Sequence, residues 1–455
     1  MRKKSFSGFV YIFFIVAILG GIYYVYSSKI FERNSPTISL PNHIFWNLKT
    51  PLKIKVEDES GIKRLKIFLS DGSKKITIVN QKFSTIEKVL NFKIEIPKGS
   101  ILDKNSNYQL EIEITDNSKW NFFQGNKLLS FTNIIVDTKS PDVYVLNNSY
   151  KITKGGSAAV VFKASDKTLK NIYIQTNSGR KFQVVPFYKD GYYASIIAWP
   201  IKDKNFKAYI VANDMAGNEK KIDIRYYLQD KIYKTSEINL NDDFLNGKIT
   251  DLLNEYAQNP DNYQGVEKFK FINETLRDKN ENLIYQKTSN IKEAKIDNFF
   301  IKPFYPLKNG AAVASFGDHR IYKKDGVEVS QSWHLGLDLA SVANAEIKTS
   351  NNAKVVFSEN NGIYGLNLGI YHGFGIYTIY GHCSSILVNE NDEIKDGDVI
   401  ANTGYSGLAF GDHLHFGVLV QGVEVRPEEW MDKKWMNENI FQILENSKKL
   451  IDNKK

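Results

Sequence analysis

The chain has 455 residues, 60 basic against 51 acidic side chains (formal charge +9), 42% hydrophobic residues and one cysteine. That hydrophobic share supports packed cores and excludes a wholly disordered chain, while the lone Cys383 excludes an intrachain disulfide, a Cys-rich zinc module and an iron–sulfur cluster. The length fits about three domains as a prior, and the modest, dispersed positive charge permits an anionic partner without selecting nucleic acid.

Arg2, Lys3 and Lys4 precede an uncharged run from Phe9 to Tyr26. Such a run crosses ~30 Å of hydrocarbon as a helix. Tyr23, Tyr24 and Tyr26 fall where an interfacial aromatic belt forms, and the basic residues before the run predict a cytoplasmic amino terminus. The Tyr-rich exit with Ser27 and Ser28 makes a poor signal-cleavage site. Residues 1–30 are therefore expected to be a stub and single-pass anchor in the inner membrane, with the bulk of the chain in the periplasm or cell-wall space. A cleaved signal is the rival reading, and both export the body.

From Ser35 to about Ile224 short alternating strands lie between turns, as in Leu52-Lys53-Ile54-Lys55-Val56, Leu110-Glu111-Ile112-Glu113-Ile114 and Ala159-Val160-Val161-Phe162. Alternation with charged outer positions predicts antiparallel sheets wet on one side. The stretch looks duplicated. Ser35-Pro36 opens one copy and Ser140-Pro141 the other; Asp58-Glu59-Ser60-Gly61 corresponds to Asp166-Lys167-Thr168-Leu169, and Asp116-Asn117 to Asn213-Asp214. A repeat of about a hundred residues with many short strands predicts two immunoglobulin-like β-sandwiches, 31–137 and 138–229, acting as spacers or docking a protein partner. The close of the second, Asn213 to Asn218, resembles the end of bacterial immunoglobulin-like repeats.

From 230 to 298 the period changes to a helical one. Phe244, Leu245, Ile249, Leu252, Leu253 and Tyr256 share one face; Val266, Phe269, Ile272, Leu276 and Leu283 share another after Pro260. Asp242 or Asp243 is the expected cap of the first helix. This predicts a helical hairpin or linker. Residues 299–427 are β-rich again with many Gly turns, and the 428–455 tail, with Trp430, Trp435, Ile440 and Leu444, reads as helix packed on that domain.

Most of the seven histidines fall between 319 and 415, in His334-Leu335-Gly336-Leu337-Asp338, Tyr380-Gly381-His382 and His413-Leu414-His415-Phe416. On a straight strand His334 and Asp338 stand ~13 Å apart, four rises of ~3.3 Å, too far for one ion with bonds of ~2 Å. The backbone must bend between them, and Gly336 permits it. His413 and His415 share a strand face at ~7 Å, so one imidazole can bind a metal while the other reaches an activated water. A catalytic zinc takes three protein ligands and keeps one position open, and it lowers the pKa of a bound water to ~7; two His and one carboxylate meet that count. No H-E-x-x-H occurs, so a His must serve as general base. His43, His319 and His372 are expected to be structural.

The stretch from Phe316-Gly317 to Pro427 resembles the M23 (LytM/lysostaphin-type) metallopeptidase family, whose pattern of H-x-x-x-D, Y-x-H, G-x-S/T-G and H-x-H stands here as His334…Asp338, Tyr380-Gly381-His382, Gly404-Tyr405-Ser406-Gly407 and His413-Leu414-His415. The resemblance covers about a quarter of the chain. It implies an antiparallel-β groove, one Zn2+ held by His334, Asp338 and His415, and a catalytic pair, His382 and His413, whose division between base and oxyanion stabiliser stays open. It leaves the substrate-binding residues unassigned. It departs from the family at Asp412, where Pro is usual, and at Cys383, where Leu or Met is commoner; Cys383 reads as a small buried hydrophobe.

The expectation is a mainly β, multidomain, membrane-anchored zinc endopeptidase that cuts the crosslink peptides of peptidoglycan, with no nucleic-acid partner. The alternative is a catalytically silent M23-like regulator that activates a separate wall amidase. Degenerate members have lost zinc residues, and all five positions are intact here.

Overall fold

The computed structural model describes residues 6–97, 102 and 107–453; the basic residues Arg2, Lys3 and Lys4 lie outside them. The apolar run forms one helix, Phe6–Ser27, whose 22 residues span ~33 Å at ~1.5 Å each. It is long and apolar enough to cross a membrane.

The molecule is mainly β and divides into two compact units. One comprises 1–141, 167–170 and 213–219; the other comprises 142–166, 171–212 and 220–455. In the first, a five-stranded sheet and a three-stranded sheet enclose one core. The strand Asn107–Asp116 puts Leu110, Ile112 and Ile114 at zero exposure while Glu111 and Glu113 face outward, so alternation set its orientation.

The second unit carries two four-stranded sheets, the helical segment, an eight-stranded sheet and the carboxyl-terminal helices. The strand Ser157–Ser165 is buried on both faces from Ser157 to Phe162, not wet on one as its neighbours' alternation predicts. Its second face is dry because the helical tail lies over it: Ser149, paired beside this strand, donates to the Asn439 carbonyl, and Asn147 to that of Ile443.

The helical segment does not stand free. Leu245, Ile249, Phe269, Ile272 and Ile284 share a core with Phe357, Tyr377 and Leu419 of the eight-stranded sheet. Each such fully buried side chain contributes roughly 1.5–3 kcal/mol. Two details differ from the sequence reading. The first cap is Asn241, whose side chain accepts the Phe244 N–H at 2.8 Å, and Asp242 and Asp243 instead lie in the first turn, where their charge suits the helix dipole. Ile284, not Leu283, is buried, because the stretch Phe271–Leu276 is a π-helix whose wider turn advances the buried face by one residue.

The eight-stranded sheet is antiparallel, in the order Ala311–Ala314, Leu337–Ala340, Leu414–Val420, Ile376–Cys383, Leu366–Tyr371, Ala353–Asn360, Glu393–Ile394, with Val423–Val425 added beside Leu414–Val420. Its register matters most at one point. His415 lies opposite Asp338 on one neighbour and opposite Gly381 on the other. Three of the histidine-bearing segments thus meet in adjacent strands.

Candidate functional site

Leu335, Leu337 and Leu339 turn into the core, and the polar residues between them face a groove. His334 sits just outside the strand that ends at Trp333, and the chain bends at Gly336 before the next strand starts at Leu337. The bend closes the distance that a straight strand would leave. His334 Nε2 lies 3.0 Å from Asp338 Oδ1, His415 Nδ1 lies 2.9 Å from the same oxygen, and the two nitrogens are 3.2 Å apart. A tetrahedral ion with bonds of ~2.0–2.1 Å has ligand–ligand edges close to ~3.3 Å, so the three atoms form one face of such a site and fit a zinc ion.

The protonation states agree with that use. His334 Nδ1 donates to the Ser315 carbonyl at 2.9 Å, which leaves Nε2 as the lone-pair nitrogen. Burial pushes the His415 imidazole down, against the nearby Asp338 charge, and keeps it neutral. Burial raises the Asp338 carboxyl, but the two imidazoles packed against it outweigh that and hold the group well below the usual carboxylate range. Neutral imidazole and ionised carboxylate are the ligand forms.

Gly336 has a second role that the sequence did not disclose. Its φ is not in the left-handed region, so the bend itself needs no glycine. A Cβ there would stand 2.5 Å from Cε1 and Nε2 of His415. Glycine is required because the His415 ring fills the space. Gly336→Ala is expected to displace that ring and weaken metal affinity ~10–100-fold, the size seen when a ligand loses its support; titration against a zinc chelator reads it directly.

His382 and His413 lie side by side next to this cluster, with ring centroids 4.8 Å apart. His382 Nδ1 donates to the Ser406 carbonyl and His413 Nδ1 to that of Gly411, each at 2.8 Å. Both Nε2 atoms are left to accept a proton, and that of His413 lies 3.7 Å from Asp338 Oδ2. Burial, then the neighbouring His415 and His413, pushes His382 down to about 3, so it is neutral. His382 also holds φ +63°, a left-handed conformation that costs a non-glycine residue about 1–3 kcal/mol and is held by its surroundings. The Gly404–Gly407 loop supplies that hold. Ser406 Oγ donates to the Cys383 carbonyl at 2.7 Å and accepts the Leu366 N–H at 3.0 Å. Gly407 has φ +68°, and a Cβ on it would stand 2.3 Å from Gly365 N.

The other sequence expectations find plain places. Asp412 accepts the Asn344 N–H at 2.9 Å and ties down the loop before His413. Cys383 is fully buried, and burial pushes its thiol up to about 12, so it packs as a hydrophobe. His372 is buried against Thr378, and His319 stacks on Trp333. Neither joins the cluster, and His43 lies in the first unit. The sequence reading missed two residues of the groove. Tyr364 sets its ring edge-on 5.4 Å from His415, and Arg320 brings Nη2 within 4.0 Å of Asp338 Oδ2. Both line a cavity of about 810 Å3 that also takes in His334, His382 and His413. Phe244 of the helical segment forms part of its wall, 4.8 Å from the Phe410 ring. No motif spacing marks Tyr364 or Arg320; a lone Arg among alternating strand residues reads as a solvated face.

Comparison with known proteins agrees with this geometry. The model of peptidase family M23 matches residues 332–427. This segment is an M23 peptidase domain. Across 94 residues, 21% of this chain, it is 31% identical to the DD-carboxypeptidase/endopeptidase Mpg of Neisseria meningitidis, of which the match covers 22%. It is 29% identical over 98 residues to the murein hydrolase activator EnvC of Escherichia coli, covering 22% of this chain and 23% of that protein. A zinc-containing peptidase from Vibrio cholerae superposes at a TM-score of 0.27 with 14% identity, over 72% of this chain and 80% of that one. The chain thus spans less than a quarter of the length of these two curated relatives, and the likeness is that of the M23 domain.

Proposed function

We propose that this chain is a zinc-dependent endopeptidase that hydrolyses the crosslink peptides of peptidoglycan. The observation that carries the reading is the convergence of His334 Nε2, Asp338 Oδ1 and His415 Nδ1 within 3.2 Å of one another, with His382 and His413 intact beside them. His334, Asp338 and His415 hold the metal. When bound, a zinc ion at such a site polarises the scissile carbonyl and acidifies the attacking water.

The chain's own residues do the rest. The His382–His413 pair takes a proton from the attacking water through an Nε2 atom and stabilises the charge that develops on the carbonyl oxygen by hydrogen bonding. The water oxygen joins the carbonyl carbon, the C–N bond breaks, and the proton leaves on the departing nitrogen. This course needs no acyl-enzyme. The Ser406 and Gly411 carbonyls fix the tautomer of the pair, so both act from a set orientation.

The apolar helix Phe6–Ser27 anchors the body in the inner membrane with the amino terminus inside, and two immunoglobulin-like modules, 31–137 and 138–229, set its reach or dock a protein partner. The helical segment 230–298 and the tail 428–455 buttress the 299–427 peptidase domain.

Likeness to an activator supports a second reading, a silent regulator of a separate wall amidase. Incubating the purified full chain, zinc-loaded, with wall sacculi and analysing the fragments by mass spectrometry separates the two. The expected result is loss of crosslinked dimers and growth of peptide monomers. A zinc-bound chain that leaves the dimers intact yet stimulates a wall amidase would establish the regulator instead.

A further inference from the structure

We propose that Arg320 forms a carboxylate-binding subsite, and that the chain acts on peptides whose leaving amino acid carries a free carboxylate next to the scissile nitrogen. The inference rests on the peptidase reading above and adds the substrate chemistry to it.

Arg320 lies on the strand His319–Lys324, whose neighbour Thr235–Asn239 runs parallel to it with Ser236 opposite Arg320. Ser236 Oγ donates to both oxygens of Asp318, at 2.8 and 3.1 Å. Asp318 is buried and accepts from Arg320 Nε at 3.5 Å. Among the described residues this is the one hydrogen bond that the guanidinium makes, so its stem is held while its Nη edge, facing Asp338 only at ion-pair range, keeps its N–H donors for a ligand. That edge points into the cavity. Nη2 is 4.0 Å from Asp338 Oδ2, the oxygen that His413 also approaches at 3.7 Å. The other oxygen, Oδ1, is turned to His334 and His415. A planar fork held through Nε with its outer edge open is the geometry that takes a carboxylate bidentately.

The distance fits the leaving side of a scissile bond. A carboxylate on the carbon next to the scissile nitrogen lies three bonds from the attacked carbonyl carbon, ~3–4 Å away by standard backbone dimensions. Arg320 and His413 reach the same Asp338 oxygen, so a carbonyl served by His413 puts that carboxylate beside the guanidinium. A peptide ending in D-Ala-D-Ala has the group at its terminus, and a crosslink has it wherever the residue donating the amine keeps its own α-carboxylate free. A bond within a polyglycine bridge lacks it. The carboxylate takes no part in the hydrolysis; it emerges unchanged on the amine product.

The test compares an acetylated peptide ending in D-Ala-D-Ala with a free carboxylate against its carboxamide. A hydrogen bond to a charged group predicts a kcat/KM ratio, acid over amide, of ~10–100 for the unaltered chain. The ratio should fall to near 1 in Arg320→Gln and lie between in Arg320→Lys, which keeps the charge and loses the fork. The proposal is overturned by a ratio near 1 in the unaltered chain, or by a ratio that Arg320→Gln leaves above ~10. A guanidinium that merely steadied Asp338 would lower both substrates together and leave the ratio alone. If Arg320→Gln fails to fold or to hold zinc, the Arg320→Lys ratio decides: a fall below that of the unaltered chain supports the subsite, and an unchanged ratio overturns it. The zinc-loaded His413→Ala chain gives a reading without turnover: calorimetry should show tighter binding of the acid than of the amide by the same factor. Equal affinities there overturn the subsite, whereas selective binding there, together with an unaltered zinc-loaded chain that cleaves neither peptide, overturns only the peptidase reading.

Discussion

His382→Ala and His413→Ala are each expected to retain one zinc per chain and to lose ~10²–10⁴-fold in kcat, the span that general acid–base groups supply. The geometry separates the two properties. The three atoms that would hold the ion belong to His334, Asp338 and His415, and neither His382 nor His413 is needed for their convergence. What the pair contributes is two Nε2 atoms of fixed tautomer, each set by a backbone carbonyl at 2.8 Å. The rings are 4.8 Å apart and serve one reacting group, so the double variant should cost little more than either single one. Metal analysis by mass spectrometry beside single-turnover rates checks this. Additive losses would show that the two act separately, and loss of metal from either variant would place that residue among the ligands.

Asp338→Ala and His415→Ala are expected to lose the ion and all measurable turnover, a larger effect with a different signature. Asp338 Oδ1 is the atom both imidazoles approach, and its charge is the only anionic one in the triad. Removing it leaves two buried nitrogens 3.2 Å apart with nothing between them to attract a cation. Removing His415 takes away one ligand of three and opens the space that Gly336 was kept small to provide. Treating the intact chain with a strong chelator should reproduce both variants, and added zinc should restore only the intact chain. Because a bound ligand stabilises by mass action, the intact holo-protein should also melt higher than its apo form, while the Asp338→Ala chain should melt alike with and without zinc. A zinc-dependent melting shift that survives Asp338→Ala would sink the assignment.

Most of the site was legible before any coordinates because the residues that carry chemistry are short-range patterns. H-x-H on a strand fixes two imidazoles on one face, and H-x-x-x-D with a glycine between demands a bend. The strand Asn107–Asp116 shows the same for the fold: alternation alone set its buried face. Local pattern misled where distant chain intervenes. Ser157–Ser165 is dry on both sides because the helical tail some three hundred positions later covers it. Leu283 yields to Ile284 because a π-turn forms, a backbone choice that residue type barely encodes.

The apolar amino-terminal helix and the mainly β body follow from composition and from periods of 2 and 3.6 residues, and the five candidate side chains from short motifs read through a family resemblance. Packing across the sheet had to supply the rest: that His334 and His415, 81 positions apart, stand 3.2 Å from each other, that Gly336 is needed for a ring and not for a bend, and that Arg320 looks into the groove. Strand pairing brought those groups together, and it depends on which edges meet across the sheet. No stretch of chain carries that information alone.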